Sequence, residues 1–278
     1  MKKALFKSKK MLYNHREVID LPSTYAHYRF GKLAILALPE EIRRSVQRFR
    51  QLYDVGLHGP DLFFYYQPLF QTKMGALGSQ YHAMTGVEFF EKAVQQLHQA
   101  PSEGAQVYLY GVLGHYALDS VCHPLILETA AAGKLGHVEM ETEFDRYLLA
   151  KDGKEPPHLQ RVARHARLTW GECVTVSHFY PPASAYTIRH SIRHLYLADW
   201  LLASKNREAL TRFLRLGGPD VAQMVMYTRP NHSCAVMNEP LETLFNGALE
   251  SYPRMVEQLQ SHFFTGVAFG PEFEAIFG

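Results

Sequence analysis

The sequence predicts an all-α fold, a single multi-helix domain built around a buried metal site. Three observations carry that expectation. Apolar residues recur at helical spacing in segment after segment, and no stretch alternates as a strand would. Histidines and carboxylates also recur one helical turn apart inside some of the most apolar sequence.

Composition sets the bounds. A chain of 278 residues can bury a substantial core, and 47% hydrophobic with 20% charged residues describes a globular protein rather than a disordered one. The net charge of +2 offers no broad basic track, so no nucleic-acid partner is expected. Fifteen histidines are the outlier, and histidine is the commonest metal ligand. Cys122, Cys173 and Cys234 are few and scattered, which argues against a disulfide framework and a thiolate zinc site. Cys122 reads as a small buried apolar residue.

Residues 1–20 read as a basic leader before a domain spanning 21–278. Ala4-Leu5-Phe6 is too short for a signal-peptide core, and no later stretch is long enough for a membrane span. The expected location is therefore cytoplasmic. A helix enters at Ser23 or Thr24 as N-cap and runs to about Leu38, where Pro39 ends it. A second helix is expected over residues 40–53, with Ile42, Val46, Phe49 and Leu52 on one face. The turn Gly56-Leu57-His58-Gly59-Pro60-Asp61 follows. Asp61 there is either a helix N-cap or a carboxylate held rigid by the turn, and the two roles are compatible.

After His82, Phe89, Phe90, Ala93, Val94 and Leu97 mark the next buried face. The central helix is expected from Ala105 to Cys122, stopping before Pro124. A small-residue connection around Gly133 leads to a helix from His137 to about Lys151. Residues 158–176 read helical, as do 184–204, 206–216 and 235–260. The Phe-rich end is expected to pack back on the core.

The chemistry gathers in the central helix and its successor. His115, Asp119 and His123 stand four residues apart, and His137 and Glu141 repeat that spacing fourteen residues on. Imidazole and carboxylate are the nitrogen and oxygen ligands that Zn²⁺ takes. These could be polar faces of ordinary helices. The apolar run Val107–Leu113 before His115 argues otherwise, because buried charge needs a partner or a metal. His190 and His194 form a rival pair at the same spacing, but Arg189 and Arg193 interleaved with them suggest a solvated basic face or a phosphate contact. His27 taken alone reads as an ordinary core or surface histidine.

In their order, Gly-Pro-Asp61, His82, His115-x₃-Asp119, His123 and Gly136-His137-x₃-Glu141 resemble the zinc-dependent phospholipase C family, whose architecture extends to single-strand-specific nucleases. The resemblance covers roughly residues 20 to 150. It implies two Zn²⁺ ions, with a third possible. By position, Asp61, His82, His115 and Asp119 would hold one, and His123, His137 and Glu141 a second. Asp119 would bridge to the third, together with His27. Asp61 is also implied as a general base. Three departures bear on this carry-over. No tryptophan stands near the start to complete the third site, Asp119 and His123 are closer in sequence than in the secreted enzymes, and Leu62 replaces an aromatic of the choline-binding ones.

The implied activity is hydrolysis of a phospholipid or small phosphodiester by metal-activated water. The other readings are a nuclease of the same architecture and a zinc-stabilised binding protein without turnover. An adjacent His-Asp dipeptide is absent, which sets aside the HD-type phosphohydrolases.

Overall fold

The computed structural model describes residues 24–278 apart from positions 69, 71, 134 and 218. The leader expected over residues 1–20 and the Ser23 cap lie outside the described residues. Within them the chain is all-α: α1 (Thr24–Ala34), α2 (Glu40–Arg48), α3 (Arg50–Gly56), α4 (Lys73–His82), α5 (Gly86–Gln99), α6 (Glu103–Ala131), α7 (His137–Lys151), α8 (Trp170–Ser177), α9 (Ala185–Leu202), α10 (Arg207–Leu214), α11 (Pro219–Gln223), α12 (His232–Ala235) and α13 (Asn238–Thr265). No strand forms among the described residues, and an isolated bridge joins Thr85 to Ile276.

α6 is the axis. From Val107 to Asp119 every residue is buried, as expected of a helix that is apolar all round. α1, α3, α5 and α13 pack about it. α3 comes closest through paired glycines. A side chain on Gly111 would strike the Tyr53 carbonyl, and one on Gly56 would strike that of Tyr108. One apolar core runs from α1 to Phe277, and Leu210, Leu214, Val221 and Val225 form a small second cluster.

Three helix boundaries differ from expectation. α6 continues through Pro124 to Ala131. Pro124 is exposed and Cys122, His123 and Ile126 are buried, so the missing hydrogen bond falls on the solvent side while the opposite face stays packed. The helix expected over residues 40–53 divides at Phe49 (φ −113°, ψ 37°). That break allows α3 to bury all of Leu52–Gly56, whereas α2 buries only Ile42 and Val46. Residues 160–169 are not helical. The Asp199 carboxylate accepts the N–H groups of Val162 (2.6 Å) and Ala163 (3.1 Å), offering the backbone an alternative to the helix ladder.

α1 is held by a distant cap. Asp145 on α7 accepts the backbone N–H groups of Tyr25 (2.9 Å) and Ala26 (2.8 Å), two donors that no turn of α1 can satisfy. Arg29 and Tyr25 also bond Asp152 at the end of α7. These contacts fix the rotation of α1 and point His27 at α6.

Candidate metal centre

Five segments bring the eight candidate ligands together. α6 supplies His115, Asp119 and His123 along one face, and α7 supplies His137 and Glu141 from its first turns. His27 comes from α1, His82 ends α4, and Asp61 sits in the 3₁₀ turn Gly59–Phe63. Gly59 in that turn has φ 48°, a conformation glycine adopts without penalty, and a side chain there would strike the His115 ring. Seven of the eight residues are buried and His137 is partly so.

The geometry forms two adjoining groups. In the first, His82 Nε2 stands 2.8 Å from Asp61 Oδ1. His115 lies between two carboxylates, Nδ1 3.7 Å from Asp61 Oδ2 and Nε2 3.0 Å from Asp119 Oδ2. In the second, Glu141 Oε1 is 3.3 Å from both His123 Nε2 and His137 Nε2. Asp119 Oδ1 joins the groups, 3.1 Å from His27 Nε2 and 3.7 Å from His123 Nε2. His115 and Asp119 thus stand in one group and His137 and Glu141 in the other, with Asp119 on the border between them. Sets of three among these residues bring their donor atoms within 4.8 Å of one another.

Hydrogen bonding within the protein leaves the centre incomplete. Asp61 Oδ2, both ring nitrogens of His115 and Nδ1 of His27 are buried without a hydrogen-bond partner. Each such atom costs about 1–3 kcal/mol when left unsatisfied. His115 Nε2 faces Asp119 Oδ2 at short range but without hydrogen-bond geometry, as two ligands of one ion would. His82 uses Nδ1 on the Gly78 carbonyl (2.9 Å), which leaves Nε2 for the centre in the way metal-bound histidines are oriented. Nitrogen and oxygen donors of this kind fit Zn²⁺.

The electrostatics agree. Burial opposes charging His27, but Asp119, Asp61 and Glu141 outweigh it and raise its pKa to about 9. Burial likewise opposes charging His82, and Asp61 and Asp119 raise it to about 9. His115 goes the other way, to about 4, because its complete burial outweighs both neighbouring carboxylates. Burial works to raise Glu141, yet His137 and His123 pull it down to about 2. Burial pushes the Cys122 thiol well up, helped by Asp119 and Glu141, so Cys122 is the apolar neighbour expected rather than a thiolate.

Phe273 and Phe277 of the Phe-rich end pack on the core as expected, whereas Phe264 stays exposed; that this end also closes the centre is what no sequence signal announces. The chain's last described segment pairs with the residues after α4: Gly86 N–H donates to Ala275 O, Phe277 N–H to Met84 O and Gly278 N–H to His82 O. Phe277 is fully buried, its ring 6.1 Å from that of His115 and 6.5 Å from that of His82. Gly278 lies so close to the His123 ring that any side chain would collide. Space beside His27, Asp119, His123 and Glu141 is about 20 Å³. That is room for an ion and not for a headgroup. A second omission is His58, whose Nε2 lies 3.0 Å from His165 Nε2 behind the centre. No local spacing announces either contact. The rival pair His190 and His194 belongs to none of the metal-capable groups found among the described residues.

No curated protein and no solved structure matches this chain. A family model does, over residues 26–188, which is more than half of the sequence and includes all eight candidate ligands. Its description is zinc dependent phospholipase C, and the chain belongs to that family.

Proposed function

We propose that this protein is a zinc-dependent hydrolase that cleaves phosphodiester bonds in phospholipids or smaller phosphodiesters. The observation that carries the reading is the set of buried ligand atoms left without hydrogen-bond partners, Asp61 Oδ2 and both nitrogens of His115, in a chain of a zinc-dependent phospholipase C family. Asp61, His82, His115 and Asp119 would hold one zinc, and His123, His137 and Glu141 a second. His27 with Asp119 would complete a weaker third site. Zinc bound there would neutralise phosphate charge and lower the pKa of a water at phosphorus.

The protein's own groups have distinct tasks in this reading. His82 holds Asp61 through Oδ1, which keeps Oδ2 turned to the centre as a base for the attacking water. Asp119, placed between His27, His115 and His123, fixes the spacing of the two groups. Phe277 and Phe64 wall the centre with apolar surface, which strengthens every charge interaction inside it. Admission of a headgroup requires movement of this wall.

Mass spectrometry for metals, followed by assay of the zinc-loaded chain on a chromogenic phosphodiester, tests the reading. Two or more zinc ions per chain and hydrolysis abolished by chelation are expected. Protein that holds zinc and shows no hydrolysis at any zinc concentration would instead be the zinc-stabilised binding protein.

A further inference from the structure

The outer face of α9 is unlike the centre's surroundings. Tyr186, Arg189, Arg193, Leu197 and Trp200 follow one another at spacings of three or four residues, so they form a single stripe, and all five are exposed. Tyr186, Leu197 and Trp200 are each more than half exposed. Asp199 is the only acidic residue on the helix, and it is buried against Arg161 at 2.6 Å. The stripe is therefore cationic and apolar at once. Trp170, also half exposed, lies beside it with the Arg189 guanidinium 6.0 Å from its ring centre. Trp170 and Trp200 are the chain's two tryptophans.

Alongside the stripe α9 walls a cavity of about 420 Å³, lined by Phe70, Leu197, Leu201, Phe213, Leu214 and Val221 among others. Its other wall, at Gln67, Pro68 and Phe70, belongs to the segment that leaves the metal centre. From Asp61 the chain passes Phe64, whose ring is 5.3 Å from His82, then Tyr66, whose ring is 5.7 Å from His190. At Gln67 it takes φ 56°, uncommon for a residue with a side chain, and the Gln67 N–H donates to His194 Nδ1 at 3.1 Å. His190 and His194, unused by the metal centre, thus hold the cavity wall to α9.

We propose that this face docks on the surface of a phospholipid bilayer, with the cavity taking an acyl chain and Arg189 and Arg193 meeting lipid phosphates. Three features favour lipid over a protein partner. Tryptophan and tyrosine suit an interface that is apolar on one side and wet on the other. Exposed arginine without neighbouring acid on α9 complements an anionic surface. A helix with aromatic, leucine and arginine side chains on its free face has the composition of interfacial helices. The choice of lipid rests on the proposed phospholipase activity; the face itself does not include the metal centre.

The test uses the zinc-loaded full chain with vesicles of phosphatidylcholine, alone and mixed with phosphatidylglycerol. Because both tryptophans lie on this face, docking should blue-shift the intrinsic fluorescence, and the protein should sediment with the mixed vesicles. Arg193→Glu should weaken that partition about tenfold or more, and Trp200→Ser several-fold. Both variants should hydrolyse a soluble chromogenic phosphodiester at the unaltered rate. Soluble hydrolysis with no fluorescence change and no sedimentation overturns the docking proposal and leaves the hydrolase reading standing. Vesicle binding without any hydrolysis does the reverse. If either substitution changes the size of the protein in gel filtration, the face joins copies of this chain and the proposal falls.

Discussion

At the candidate metal centre, histidines and carboxylates are packed into the interior of helices whose other faces are apolar. On α9, tyrosine, leucine and tryptophan stand in solvent on either side of two arginines. Each region departs from the usual distribution of polar and apolar groups, and the departures run in opposite directions. Buried polar atoms without partners call for an ion that can enter a small space. Exposed apolar groups beside a cavity call for a large apolar ligand. The two departures also fail differently when disturbed. Loss of a ligand at the centre leaves charge uncompensated in the core, whereas a change on the outer stripe leaves the core untouched.

Asp119→Ala should separate the regions most strongly. It removes the carboxylate shared by His27, His115 and His123. Zinc content should fall below two per chain and hydrolysis by more than about a hundredfold, since even ligand-supporting residues contribute 10–100-fold. Trp200→Ser measured beside it should keep both at the original values. Full zinc content in Asp119→Ala, read by native mass spectrometry, would remove the bridging role.

Phe277→Ala tests whether the closing segment belongs to the core or merely covers the centre. The ring is wholly buried against Tyr116 and Phe89 as well as the site histidines. Its loss should reduce unfolding free energy by about 3–5 kcal/mol, measured by denaturant titration of the zinc-loaded protein. A loss under about 1 kcal/mol would show that the segment packs loosely and that the centre is less enclosed than its geometry indicates.

How these regions appear in sequence explains what was legible. His115, Asp119 and His123 announce themselves because one-turn spacing is local and their neighbours are apolar. His190 and His194 have the same spacing, yet Ile188, Ile192 and Leu195 take the core side of α9 and leave the histidines at a cavity edge. Spacing says which residues share a face; burial decides where that face points. Pro124 was misleading because its cost depends on whether the lost hydrogen bond meets solvent. Phe277 beside His82 was invisible because nothing in either neighbourhood encodes a contact across most of the chain. The apolar stripe of α9 was readable as helix, though exposure alone distinguishes it from a core face.

The pH dependence above about 6.5 sharpens the comparison, because His27 and His82 at the centre are raised whereas burial lowers His194 on α9. With His27 and His82 raised to about 9, chelated protein carries protons on both near neutral pH. Their contribution to stability is complete below the unfolded value of about 6.5 and is lost as pH rises through 9. Zinc requires neutral imidazole, so loading near pH 7.5 must release protons. Calorimetric titration with zinc in two buffers of different ionisation enthalpy should give release of one to two protons per chain. The melting temperature of chelated protein should fall between pH 6.5 and 9 while that of loaded protein holds. No buffer dependence would mean that the histidines are already neutral and that the carboxylates do not govern them.

The smallest effect is expected at His27. It shares Asp119 Oδ1 with His123, 3.1 Å against 3.7 Å, and the Asp61 carboxylate also within its reach is the one that serves His82 and His115, so an ion placed there has no carboxylate of its own. The other two sets each have a carboxylate in addition to Asp119: Asp61 for His82 and His115, and Glu141 for His123 and His137. Affinity should therefore be graded, with two ions held tightly and a third exchangeable. Dilution of loaded protein into zinc-free buffer should leave two ions bound, counted by native mass spectrometry. His27→Ala should retain those two and lose only the third, and its activity should drop less than that of Asp119→Ala. Three ions surviving dilution in the unaltered chain would show that a further residue completes the site beside His27. Loss of all metal in His27→Ala would show instead that α1 is required to assemble the whole centre, which its cap from Asp145 on α7 makes physically reasonable.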